Sequence, residues 1–172
     1  MLKVYPDYKE AYQSAVYLFQ DKLFKFYEAF ELYKQWLKRH PNDVSERAQF
    51  AESYFTTGRF DDSSKLIAVL LSKHDLEPSL RTALRAINIG NLVALNDPKL
   101  AQQLEMDALI TEVANQPENF DVAWTFNGVK HFISENEKLT DRRKWLLTLF
   151  NSMEEKNRRT IVDVLKQLQN DL

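Results

Sequence analysis

The chain has no cysteine, three glycines and five prolines among 172 residues. Without cysteine there is no disulfide framework, no thiol nucleophile and no Cys-based zinc site. So few glycines and prolines favour long helices with short connections over a sheet protein rich in turns. They also leave no Gly-rich loop to cradle a phosphate, and no strained Gly-x-Ser-x-Gly elbow surrounds any serine. Net charge is only −2, so no overall field draws the chain to nucleic acid or an acidic membrane. No apolar run reaches the ~18–20 residues of a membrane-spanning helix. The first residues lack the apolar core of a secretory signal, and a cytoplasmic location is expected.

What is present is helical periodicity, and it is clearest from Pro41 to Pro78. Asp43 is an N-cap for a helix carrying Phe50, Ala51, Tyr54 and Phe55, which Thr57-Gly58 ends. A second helix begins at Asp61-Asp62, whose carboxylates suit a positive helix N-terminus, and carries Leu66, Ile67, Leu70 and Leu71. Ala51 and Ser63 are small where the two helices must cross; Tyr54, Phe60 and Ile67 fill the gap. Further helices are expected over 7–22, 25–39, 79–96, 98–115, 120–135, 140–153 and 156–170, about nine in all, with no strand. In the helix over 79–96, Gly90 lies on a small-residue stripe and is expected to admit a close neighbour, because glycine inside a helix otherwise costs about 0.8–1 kcal/mol.

A small residue, an aromatic three later, a glycine four after that and a small residue five further on resemble the tetratricopeptide repeat, whose unit is about 34 residues long. The resemblance is best over 44–77, weaker over 10–43, where Gln20 and Phe24 stand in place of an aromatic and a glycine, and architectural only beyond 78. It implies an all-α, right-handed α-solenoid of antiparallel helix pairs in one domain. Residues 1–43 would be a degenerate repeat, 78–137 divergent pairs, and 138–172 C-terminal capping helices. It further implies a non-catalytic scaffold that binds a protein or peptide partner on its concave face. Carried onto this chain, the exposed inner positions would be Ser45, Ala48, Glu52, Phe55 and Thr56, with Arg81, Arg85 and Asn88 beside them. The clamp by which some members hold acidic chaperone tails is missing, since Ala48 and Glu52 occupy that face. A weaker similarity, to the helical tail of some bacterial thioredoxin-like chaperones, implies an accessory domain of a chaperone or secretion assembly.

Candidate chemistry is sparse, and neither a cofactor nor a metal is expected. His40, His74 and His131 stand apart, and a hydrogen-bonded or partly buried ring is the simpler reading of each. The basic cluster Arg142, Arg143, Lys144, Lys156, Arg158 and Arg159 is the basis for a rival nucleic-acid-binding reading, disfavoured because Asp141, Glu154, Glu155 and Asp163 offset it. A homodimer through the aromatic N-terminal helices is left open.

Overall fold

The computed structural model describes residues 7–172, so the signal-segment reading rests partly on residues outside the described range. Among the described residues there are nine α-helices and no strand. These are α1 (Lys9–Tyr17), α2 (Phe26–Arg39), α3 (Val44–Thr56), α4 (Phe60–Leu71), α5 (Pro78–Ala94), α6 (Lys99–Ala114), α7 (Asn127–Glu135), α8 (Arg143–Ser152) and α9 (Arg158–Asn170). A π-helical turn, Leu18–Lys22, extends α1, and a 3-10 turn, Glu137–Arg142, precedes α8. No helix among the described residues is long and apolar enough to cross a membrane.

Local signals account for the helix ends. The Asp43 carboxylate accepts the Glu46 N–H at 3.3 Å, an N-cap on α3, and Glu77 and Asn157 do the same for α5 and α9. At the other end of α3, Gly58 takes φ +74°. Its N–H bonds the Phe55 carbonyl at 2.9 Å, and that of Arg59 bonds Tyr54 at 2.8 Å, the paired bonds of a Schellman stop. The same pair closes α5, where Asn96 has φ +54° and the Asn96 and Asp97 N–H groups reach Val93 and Leu92. Phe24, after the π-helical turn, is left-handed too, with φ +53°, and the Lys25 N–H bonds Phe19. A non-glycine residue in this region carries strain of about 1–2 kcal/mol. Here the ring is stacked 3.8 Å from that of His131 on α7, which holds it in place.

Each of α2 to α5 packs against the next, and α9 packs on both α6 and α8. Ala51 and Ser63 meet at the α3–α4 crossing, both fully buried, with the Ser63 hydroxyl donating to the Ala51 carbonyl at 2.7 Å. Asn91 of α5 donates to the same hydroxyl at 2.9 Å, so one serine ties three helices together. Gly90 admits the predicted close neighbour: a Cβ there would lie 2.9 Å from the Phe55 ring and 3.2 Å from that of Phe150. The core has two parts. A smaller aromatic cluster joins α1, α2 and α3 through Tyr12, Tyr33, Trp36 and Phe50; a larger one spans α3 to α9.

The helix expected over 120–135 forms only from Asn127. Residues 120–126 run irregularly, with Phe120, Val122 and Phe126 buried and Asp121, Ala123 and Thr125 exposed, an alternation with a period of two. The Asp121 carboxylate takes the Ala123 N–H at 2.8 Å, and Ala123 adopts φ +50°. This side-chain bond competes with the helical ladder and breaks it.

Candidate functional site

The face of α3 that the resemblance assigns to a partner is closed by the chain itself. Helix α7 packs directly on α3 and on the π-helical turn. Phe132 of α7 lies against Phe55 and Phe60, at centroid distances of 5.8 and 6.2 Å. The expectation that Ala48, Glu52, Phe55 and Thr56 line an open surface is therefore corrected: all four are buried. The physical cause is the returning segment 124–132, which supplies the apolar and hydrogen-bonding partners that a ligand would otherwise provide. Ser45 alone of that set is exposed.

The polar residues of α5 are engaged as well. Arg81 donates to the carbonyls of Lys73, His74 and Leu76 and lies 3.8 Å from Glu112. Arg85 pairs with Glu105 of α6 at 3.0 Å, and Asn88 is half-buried. They share a face but are not brought together with Ser45. Two of the histidines are ring partners: His131 stacks on Phe24, and His40 lies tilted over Trp36 at 4.1 Å and reaches Asp7 at 3.2 Å.

What the fold does assemble is a group of acids beneath α1 that sequence reasoning did not put together. Glu52 is 1% exposed and accepts from Gln20 of the π-helical turn at 2.8 Å and from the Trp124 indole at 2.5 Å. Burial, reinforced by the nearby Asp21 carboxylate, pushes Glu52 up to about 8. Asp21 accepts the Gly128 N–H at 3.0 Å, close to the positive N-terminus of α7. Burial outweighs that bond and raises Asp21 as well. Glu46, 3% exposed, is raised by burial although Gln13 donates to it at 2.7 Å. Burial acts on Asp43 too, but donors from Lys9, Trp36 and the Glu46 N–H outweigh it and hold Asp43 low. Among the described residues no three His, Cys, Asp or Glu side chains converge as metal ligands.

No family model, curated protein or solved structure matches this chain. Its own geometry therefore defines the candidate site: a cleft of about 210 Å³ lined by residues that include Gln13, Asp21, Tyr33, Ser45, Glu46, Gln49 and Thr125. The π-helical turn supplies Asp21, α2 supplies Tyr33, and α3 supplies Ser45, Glu46 and Gln49. The signal that could have found it is a polar residue on an apolar stripe. Glu52 sits a turn after Ala48 and just before Phe55, and Gln20 a turn after Val16.

Gly128 fixes how closely the π-helical turn and α7 approach. A Cβ there would stand 2.9 Å from the Gln20 carbonyl oxygen and 3.1 Å from Gln20 Cγ. Backbone cannot yield as a flexible side chain would, so Gly128→Ala is expected to destabilise the fold by about 1–3 kcal/mol, the usual range for overpacking. Urea unfolding checks this; a midpoint at or above that of the parent would show that the two elements are not in contact.

Proposed function

We propose that this chain is a non-catalytic helical scaffold that binds a protein or peptide, built on tetratricopeptide-like helix pairs and working in the cytoplasm. The observation that carries the reading is the spacing of left-handed turn residues: Phe24 and Gly58 stand one period of about 34 residues apart, each between consecutive helices. Ala29 and Ser63, both fully buried, repeat at the same interval. On this reading α1–α2, α3–α4 and α5–α6 are antiparallel pairs stacked into a right-handed solenoid, with α8 and α9 as its C-terminal cap. Because the chain's own segment 124–132 fills the inner face of α3, the partner engages what stays open beside it, the cleft rimmed by Ser45 and Gln49. A receptor so preorganised by packing loses little entropy on binding.

The rival reading as a nucleic-acid binder has less support. Arg158 donates to the Ala114 and Gln116 carbonyls, Arg143 to those of Ile133 and Asn136, and Lys156 and Arg159 pair with Asp121 and Glu118. Much of the basic cluster is thus directed at the chain itself. The scaffold reading is tested by purifying the tagged chain from its native cell. A stoichiometric protein partner that is lost on Gln49→Arg, with the melting temperature unchanged, is the expected result. A chain that elutes alone, or one that turns over a substrate, would overturn it.

A further inference from the structure

We propose that residues 123–125 form a pH-sensitive latch on α3, closed while Glu52 carries a proton and released when that proton is lost. The latch belongs to the chain alone, so it stands whether or not the scaffold reading does. Glu52 lies within α3 and is 1% exposed. Its two oxygens accept from neutral donors on two other segments, the Gln20 amide of the π-helical turn and the Trp124 indole. No cation among the described residues acts on it, and a buried carboxylate without one is costly to ionise. A neutral carboxyl instead needs an acceptor for its O–H. Gln20 supplies one, because its buried amide oxygen is unpaired and turning the amide brings that oxygen to Glu52. The neutral state thus satisfies every polar atom of Glu52 and encloses no charge.

The ionisable groups around Glu52 oppose its charged form. Burial first, and then Asp21 of the π-helical turn, push it up to about 8. Exposed Lys22 offsets Asp21 in part, though burial still raises that acid. Tyr33 of α2 is held well above its ordinary range, by burial and then by Glu52, and stays neutral. Glu46, further back along α3, is attended by Gln13, Lys9 and Tyr12 of α1. Helices α4, α5 and α7 also pack on α3 and add no charge that acts on Glu52. Closure is therefore firmest below the ordinary carboxylate value and weakens as pH rises through the folded one.

Of the two covers over Glu52, Trp124 yields first. Gln20 is 1% exposed and packed tightly against Gly128. Trp124 is half-buried, outside any helix, between exposed Ala123 and Thr125. Ala123 is left-handed, and its N–H is taken by the Asp121 side chain rather than by a main-chain carbonyl. Val122 and Phe126, 1% and 0% exposed, pin the two ends, so three residues can move while their flanks stay. Thr125 lines the cleft together with Asp21 and Glu46, so the latch also sets one wall of that site.

The test is indole N–H exchange of Trp124 by NMR from about pH 5 to about 8.5. The Trp145 indole, bonded to the Leu168 carbonyl, is the internal reference that cancels base catalysis. Trp124 protection should fall about tenfold or more relative to Trp145. The fall should level off at the pH where the 13C shift of the Glu52 carboxyl titrates. Glu52→Gln, neutral throughout, should hold the ratio constant. Should that variant fail to fold, Asp21→Asn keeps an acceptor for Gly128 and should move the levelling point to lower pH. A ratio that stays constant in the parent would overturn the latch, as would an equal fall in Glu52→Gln or an unmoved levelling point in Asp21→Asn. Loss of Trp145 protection in step with Trp124 would mean that the whole fold loosens, and would overturn it too.

Discussion

Replacing Phe55 by alanine is expected to cost about 3–5 kcal/mol of folding stability, the range for deleting a fully enclosed aromatic ring. Phe55 has no exposed surface, and the rings of Phe60, Phe132 and Phe150 meet it edge-on at 5.2, 5.8 and 6.0 Å. It also fills the space that Gly90 leaves open. The cavity would lie where α3, α5, α7 and α8 converge, so no single side chain can relax into it. As a surface anchor for a partner, which is what the tetratricopeptide resemblance implies, the same substitution would leave stability unchanged. Urea unfolding separates the two. Ser45→Ala, on the exposed rim of the same helix, is the control and should stay within about 0.5 kcal/mol of the parent.

Glu52→Gln should make the protein more stable above neutral pH and less sensitive to pH below it. The folded pKa of Glu52 is raised from 4.5 to about 8. Between those values the folded chain holds a proton that the unfolded chain has released. Its contribution to stability is thus fully present below the unfolded value and is lost as pH rises through the folded one. Asp21 and Glu46 are raised as well and act in the same direction, while Asp43 is lowered and acts against them.

The parent should therefore be more stable near pH 5 than near pH 8, with Glu52 the largest contributor, on the order of 2–4 kcal/mol. Glutamine keeps an acceptor for Trp124. Turning the Gln20 amide would let its buried, unpaired carbonyl oxygen take the new N–H. Stability measured from about pH 5 to 8.5 should fall steeply in the parent and much less in the variant. Parallel curves would mean that Glu52 is not enclosed as described.

The helices and their junctions were legible because they depend on local chemistry. Asp43, Gly58 and Pro78 mark boundaries through capping, left-handed backbone and a fixed φ, and all three act at those boundaries here. Ala51 and Ser63 announced their crossing by size alone. Phe24 was harder to read. It departs from the glycine that the repeat favours, yet its backbone is left-handed as a glycine's would be, because His131, distant in sequence, supplies the stacking partner.

The segment 120–126 misled for a related reason. Its apolar residues fit a helical spacing and a two-residue alternation equally, and the deciding contact is one carboxylate turning back to bond Ala123. Most of the site was hidden because it is non-local. Nothing near Glu52 in the chain reveals that Gln20 and Trp124 will enclose it, or that α7 will cover the face resembling a binding groove. Ser45 was found by register, while Asp21, Tyr33 and Glu46 needed the tertiary fold.

The central claim is that a protein partner engages the open rim beside α3 while the chain's own segment closes the inner face. A photo-reactive benzoylphenylalanine placed at position 49 in the native cell tests it most directly, with position 55 as the buried control and position 140 as an exposed one. The account predicts a discrete intermolecular adduct from position 49 and none from 55 or 140. Adducts from 55 with the fold intact, or none from 49, would contradict it.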